Sequence, residues 1–90
     1  MKLIYVEWLD SHTVHGWNSL KELVESQKID PCKTIGWLVK KTDESILVVS
    51  SLSSDENPDV KTCAEGNMVI PLSAIVKVRL LSVGKAAVKL

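Results

Sequence analysis

Several features are scarce or missing in this sequence. Phenylalanine is absent, and only Cys32 and Cys63 are available for thiol chemistry, with no CxxC motif. No segment approaches the roughly 20 consecutive apolar residues that span a bilayer. Lysine and arginine balance aspartate and glutamate at 11 each. This balance argues against a general nucleic-acid binder and against a polybasic membrane anchor, since both need a clustered positive charge.

The N-terminal segment and the two cysteines bear on the cellular location of the protein and on the state of its thiols. A charge at Glu7 interrupts the first apolar run too early for the core of a signal peptide. We therefore expect a cytoplasmic protein. In a reducing compartment the two cysteines are expected to remain thiols, although they could pair once.

Alternation of apolar side chains predicts a β-rich chain. Residues 2–9 place Ile4, Val6 and Trp8 on one face of a strand. Polar residues 42–45 form a predicted turn between two further strands, which makes them a hairpin. Gly36, inside the second strand, indicates a bulge, a bend or a close approach of another backbone. We predict strands at residues 2–9, 33–41, 46–52, 67–72 and 75–81.

One helix is predicted after the first strand. Ser19 and Glu22 have the spacing of a capping box, so the helix begins there. Asp30-Pro31 then forces an extended chain and ends the helical pattern before it. Apolar residues recur at the helical spacing, namely Leu20, Leu23 and Val24. Because so short a helix is unstable alone, we expect it to dock on the sheet.

This order of elements predicts a mainly β (α+β) fold. We expect a small, strongly bent antiparallel barrel of about five strands, SH3-like or Sm-like, with one short helix after the first strand. Residues 1–90 form a single domain, since half the length could not bury a core, and its core lies at about residues 2–81. Residues 53–66 are expected to be a mobile loop. Residues 82–90 form a tail in which Ala87-Val88 could add a sixth edge strand.

Both faces of the predicted strands are largely apolar. A small barrel has a small interior, so the surplus apolar faces need another cover. We therefore expect self-association as a closed, symmetric homo-oligomer.

The segment between the first strand and the helix concentrates polar and aromatic groups. Trp8 and Trp17 offer indole faces on which a base can stack, and such stacking contributes about 1–3 kcal/mol per base. Asp10 can accept hydrogen bonds from ribose hydroxyls or an exocyclic amine, and Ser11, Thr13 and the two histidines can donate to phosphate. The amides at the helix start also favour an anion. The candidate ligand-binding residues are Trp8, Asp10, Ser11, His12, His15, Gly16 and Trp17.

These groups predict a site for a compact nucleotide-derived ligand, with Gly16 giving the chain room to turn. The alternative is structural: both tryptophans fill the core, Asp10-Ser11 makes a turn, and the capping box already occupies the helix end. The sequence leaves both interpretations open.

The sequence gives little support for a catalytic site or a metal site. Two residues separate His12 from His15, but neither Cys32 nor Cys63 stands at a recognisable zinc-ligand spacing from them. A nucleophilic cysteine needs an electropositive pocket and an orienting partner, of which the sequence gives no sign. The acids after Thr42 lie in a solvated turn, so a catalytic carboxylate pair is also unsupported. We predict no catalytic residue, no metal and no cofactor.

Basic residues could in principle form a stripe for RNA, as in Sm-like rings. Acidic residues lie between them in the sequence, and no run combines basic and aromatic residues. Ordinary solvated side chains are therefore the preferred interpretation. The residues concerned are Lys40, Lys41, Lys77, Arg79, Lys85 and Lys89.

Several short motifs carry a resemblance. The chain contains Trp8-Leu9-Asp10-Ser11, His15-Gly16-Trp17, Ile35-Gly36-Trp37-Leu38-Val39, Ser50-Ser51-Leu52-Ser53 and Ile70-Pro71-Leu72, followed by Ile75 and Val78. Over about residues 4–81 this pattern resembles a group of small accessory proteins encoded by tailed bacteriophages. The resemblance implies a protein that acts in a bacterial host cytoplasm, where it binds and neutralises a host factor or sequesters a signal.

Three functions follow from these observations. The first is a non-enzymatic oligomer that sequesters a nucleotide-type small molecule, such as a host antiviral signal. The second is an interaction module that inhibits a host protein through apolar strand faces and the acidic loop from Asp55 to Asp59. The third is an Sm-like RNA-binding ring.

Overall fold

The computed structural model describes residues 1–53, 62–84 and 87–89. The mainly β chain with one short helix is confirmed. Its elements are β1 (Lys2–Asp10), α1 (Leu20–Glu25), β2 (Asp30–Lys41), β3 (Ser45–Leu52), β4 (Ala64–Pro71), a 3-10 turn (Leu72–Ala74) and β5 (Ile75–Leu81).

The five strands form one antiparallel sheet in the order β4-β3-β2-β1-β5. The outermost strands, β4 and β5, do not pair with each other, so the sheet is open and the predicted barrel closure is not formed within the described residues. The chain is elongated, with extents of 58 × 32 × 30 Å. Its radius of gyration of 18.0 Å exceeds the value of about 12 Å for a compact domain of this length.

The core lies on one face of the sheet, which we call the inner face. Ile4 and Val6 of β1 alternate onto it, as predicted, and are 1% and 0% exposed. Trp8 follows on the same face of β1 but is only half-buried. The buried cluster consists of Ile4, Val6, Ile46, Val48 and Ile70, with Trp8, Leu38, Leu72 and Ile75 packed against it. The opposite, outer face carries the alternate residues of each strand.

Gly36 marks a close approach of β2 and β3. A Cβ at this position would lie 2.5 Å from Cγ1 of Val48 and 2.7 Å from the backbone oxygen of Val49. The pairing of β2 with β3 also shifts by one residue between Leu38 and Lys40. The bulge or close approach predicted from this glycine is therefore confirmed.

Some predicted boundaries differ from the structure. β2 begins at Asp30 rather than at residue 33, because Pro31 is accommodated in the strand opposite Leu9. β4 begins at Ala64, inside the predicted loop, where Gly66 adopts a φ of 70°. Residues 54–61 of that loop lie outside the described residues.

The tail forms no regular structure at residues 82–84 and 87–89. The sixth edge strand predicted through Ala87-Val88 is therefore wrong. Lys85, which belongs to the proposed basic stripe, lies outside the described residues, as do Ala86 and Leu90.

The helix does not dock on the sheet. None of the residues of α1 is buried against the described part of the chain. Leu20 and Val24 are 81% and 71% exposed, although their spacing marks them as an apolar face. The expected packing of α1 on its own sheet is wrong, because residues 11–29 leave the end of the β1–β2 pair and carry the helix away from the core. We call residues 11–29 the arm.

Candidate functional site

The base of the arm is held by polar contacts. Asp10 and Asp30 are paired across β1 and β2, so the arm leaves and returns at neighbouring positions. The amide of Ser11 donates to Oδ1 of Asp10 over 2.8 Å. Nδ1 of His12 lies 3.3 Å from Oδ2 of Asp30, and Nζ of Lys28 lies 3.8 Å from Oδ1 of the same carboxylate. Asp10, Ser11 and His12 are therefore close together, and part of their hydrogen-bonding capacity already maintains the arm.

Trp17 is presented to solvent by a local turn. Gly16 adopts a φ of 85°, a conformation that other residues rarely reach. The side-chain Nδ2 of Asn18 donates to the backbone oxygens of His15 and Gly16, each at a distance of 3.3 Å, and supports the turn. The exposure of Trp17 is 105%, that of a side chain without cover. This indole does not fill the core.

The start of α1 is already capped. The amide of Glu22 donates to Oγ of Ser19 over 3.2 Å, and the amide of Ser19 donates to Oε2 of Glu22 over 3.3 Å. The predicted capping box is confirmed. Because the glutamate occupies this end of a six-residue helix, we assign no anion site to it.

Trp8 combines two environments. It is half-buried and packs against the core cluster, while its Nε1–H donates to Oγ1 of Thr34 over 2.9 Å. It also lines an open cavity of about 220 Å³ at the end of β1. We call this the strand-end cavity; it is lined by Glu7, Trp8, Leu9, Pro31, Cys32, Lys33 and Val76.

A bulge shapes one wall of the strand-end cavity. Glu7 pairs with Lys77 and Trp8 pairs with Ile75, which leaves Val76 as an extra residue in β5. Bulges redirect side chains, and Val76 accordingly lines the cavity and remains 63% exposed. The cavity is therefore a product of irregular strand pairing, which the sequence pattern did not indicate.

Three cations surround Glu7 on the outer face. Lys33 and Lys77 lie directly across from Glu7 on the two neighbouring strands, and Arg79 lies across from Tyr5. None of the ion pairs within 4.0 Å in the described part of the chain involves these three cations. With one carboxylate among three cations, this patch is net positive. We call Lys33, Lys77 and Arg79 the outer-face cations.

The Glu7 carboxylate is engaged by a phenol instead. The Tyr5 hydroxyl donates to Oε1 of Glu7 at a distance of 2.5 Å. This hydrogen bond, with smaller help from the charges of Lys77, Lys33 and Arg79, lowers the pKa of Glu7. The same hydrogen bond raises the pKa of Tyr5.

The predicted site residues do not converge on one concave site. Trp8 lines the strand-end cavity, Asp10, Ser11 and His12 hold the arm base, and His15, Gly16 and Trp17 form an exposed turn further along the arm. Of the outer-face cations, Lys77 and Arg79 belong to the basic stripe considered from the sequence, whereas Lys33 was missed because it is distant from them in sequence. Only the strand register, which places Glu7 between two lysines, could have revealed them.

Among the described residues, no three histidine, cysteine, aspartate or glutamate side chains are grouped so that they could hold a metal ion. No helix in that part of the chain has the length and apolar character needed to cross a membrane.

Comparison with protein-family models, with curated proteins and with solved structures finds no match for this chain. Any function must therefore be argued from the geometry described above.

Proposed function

We propose that this protein is a non-enzymatic bacteriophage accessory protein that binds and sequesters a nucleotide-derived small molecule in the cytoplasm of its bacterial host. A host antiviral signal is a ligand of this class. The protein acts as a homo-oligomer. The proposal rests on one observation: Lys33 and apolar residues that include Trp8 line the strand-end cavity, and Lys77 and Arg79 lie on β5, across β1 from Lys33.

The chemistry of the cavity suits such a ligand. Leu9, Pro31 and Val76 supply apolar surface for a planar base, and Lys33 in the wall can donate to a phosphate. Lys77 directly follows Val76 and adds a second cation. Charge-assisted hydrogen bonds of this kind are about twice as strong as neutral ones.

The strand-end cavity is small, and we propose that one chain supplies only part of the ligand site. Its volume of about 220 Å³ is below the range of about 300–1,000 Å³ that is usual for ligand pockets. Trp17 is an uncovered aromatic face, on which a base can stack. We propose that Trp17, with Asp10, Ser11, His12, His15 and Gly16 near it in the chain, completes the site when ligand or a second copy is bound.

The open sheet is compatible with an SH3-like or Sm-like subunit. The supporting features are the strand order β4-β3-β2-β1-β5 and the 3-10 turn between the last two strands. We propose that closure of this sheet depends on neighbouring copies.

Calorimetry with a panel of linear and cyclic nucleotides tests the proposed ligand class. Lys33→Gln should weaken binding by about tenfold to a hundredfold, because it removes a charged donor from the cavity wall. Trp17→Ala should also weaken binding. Lys40→Gln is the matched control, since Lys40 is exposed on the same strand and does not line the cavity.

The panel is complemented by mass spectrometry of small molecules released from protein purified out of phage-infected cells. Failure of the whole panel to bind, together with no released nucleotide, would refute the proposal. Equal weakening by Lys33→Gln and Lys40→Gln would remove the strand-end cavity from the site.

RNA is a second candidate, favoured by the outer-face cations. They lie on β2 and β5, the two strands that flank Tyr5 of β1, and aromatic residues on a sheet face are platforms for single-stranded bases. Retention on RNA should then fall steeply as the salt concentration rises. Arg79→Gln should reduce by about one the slope of the logarithm of the binding constant against the logarithm of the salt concentration. Co-purification of a host protein without nucleotide or RNA would instead support the interaction module.

A further inference from the structure

The exposed helix is a surface that requires a partner. Isolated helices shorter than about 12–15 residues are marginal in water, and α1 has six residues. Its capping box stabilises only the first turn, while Leu20 and Val24 expose 81% and 71% of their surface. A persistent α1 therefore needs an apolar surface against which to pack.

The inner face of the sheet offers such a surface. An open cavity of about 350 Å³ adjoins the core, and six of its seven lining residues are apolar. We call it the core-side cavity; it is lined by Ile4, Leu38, Lys41, Ile46, Leu72, Ile75 and Val78. Val78 is 48% exposed, and Leu80, next on the same face of β5, is 67% exposed. Within the described part of the chain, the core thus lacks a cover at this edge.

The arm and the core-side cavity are not in contact over a buried surface in the single chain. The arm is attached at Asp10 and Asp30, and the core-side cavity runs along the inner face from Ile75, which pairs with Trp8, to Ile4 near the start of β1. No residue of α1 is buried against the described part of the chain, so α1 does not fill this cavity. The contacts of His12 and Lys28 with Asp30 hold the arm base at its own end.

We infer that two copies of the chain exchange their arms, so that α1 of each copy packs into the core-side cavity of the other. Within its described residues, every chain carries one helix without a cover and one cavity without a filler, which is the requirement for a closed two-fold dimer with two equal contacts. Charge favours the same arrangement. Glu22 and Glu25 outweigh Lys21 on α1, where Lys21 lies 4.0 Å from Glu25, and Lys41 is the one charged residue among those lining the cavity.

This inference deepens the proposed function, because it specifies the contact behind the proposed oligomer. Burial of both helices also gives the inner face the cover that a single chain lacks. The arm turn with Trp17 is carried toward the second copy, so that ligand binding and dimer formation involve the same segment.

Sedimentation velocity on the full chain tests the exchange. Val24→Glu places a charge on the apolar face of α1, and Val78→Glu places one in the core-side cavity. Each should raise the dimer Kd at least about tenfold, because a buried valine contact is lost. Val69→Glu is the matched control: this valine is 61% exposed on the outer face of β4, and its change should leave the dimer intact.

A mixture of the two variants gives the decisive result. The Val24→Glu copy retains its cavity, and the Val78→Glu copy retains its arm, so an equimolar mixture should form a heterodimer with one intact contact. Where circular dichroism shows that Val78→Glu is unfolded, Lys41→Glu at the exposed rim replaces it.

Three outcomes would overturn the inference. They are a wild-type monomer at concentrations up to about 0.5 mM, a Val24→Glu dimer as tight as wild type, or a mixture that stays monomeric. The nucleotide titration with Lys33→Gln is independent, since Lys33 lies in neither α1 nor the core-side cavity. An intact dimer without nucleotide binding would contradict the proposed ligand alone.

Discussion

Gly36→Ala should destabilise the fold, because the added methyl group has no space. Its Cβ would lie 2.5 Å from Cγ1 of Val48, a side chain that is 2% exposed and cannot swing into solvent. It would also lie 2.7 Å from the backbone oxygen of Val49, so relief requires β2 and β3 to separate. Overpacking of this kind costs about 1–3 kcal/mol, whereas the reduced entropy of the unfolded chain returns about 0.4–1 kcal/mol.

The midpoints of these two ranges give a net loss in the free energy of unfolding of about 1.3 kcal/mol, which corresponds to a fall in Tm of about 5–10 °C. Urea unfolding followed by tryptophan fluorescence measures it, at one fixed protein concentration because the proposed dimer makes stability concentration-dependent. Gly84→Ala is the control, since its Cβ would meet nothing within 4 Å. A Gly36→Ala protein as stable as wild type would refute the close approach of the two strands.

Two other predictions concern single hydrogen bonds. Tyr5 is the one tyrosine in the sequence, so ultraviolet titration of tyrosinate reports it alone, and its pKa should lie above 10 because its proton is held by Glu7. Glu7→Gln should lower that pKa, and an unchanged titration would contradict the hydrogen bond. In the wild type, the stability from the lowered pKa of Glu7 should be present above the ordinary pKa of a glutamate, about 4.3, and be lost as pH falls through the lowered value. Ser19→Ala should destabilise α1 by about 0.5–2 kcal/mol, seen as faster amide exchange at Leu23. In the Val24→Glu background, where the proposed dimer contact is lost, it should leave the urea midpoint of the sheet unchanged, because no residue of α1 is buried against the described chain.

Local signals in the sequence predicted local structure well. The alternation of Ile4 and Val6 identified the buried face of β1, and the spacing of Ser19 and Glu22 identified the capping box. Gly36 signalled the tight contact between β2 and β3 because only a missing side chain permits it. In each case a few neighbouring residues determine the conformation.

Features that depend on distant partners were predicted poorly. The spacing of Leu20 and Val24 predicted an apolar face on α1, but a pattern says only that such a face needs cover, and the described part of the chain does not provide it. The outer-face cations lie on strands far apart in sequence, and they meet only through the register with Glu7. The separation of Trp8 from Trp17 likewise follows from the path of the arm. Whether the candidate residues bind a nucleotide stays a prediction.

The pairing of Asp10 with Asp30 has a consequence for how this protein can change. Since residues 11–29 start and finish at the two ends of one rung of the ladder, they amount to an insertion in a hairpin. Such an insertion can be lengthened, shortened or rewritten without moving a single backbone pair in the strands beneath it. The arm can therefore diversify rapidly on a scaffold that stays the same.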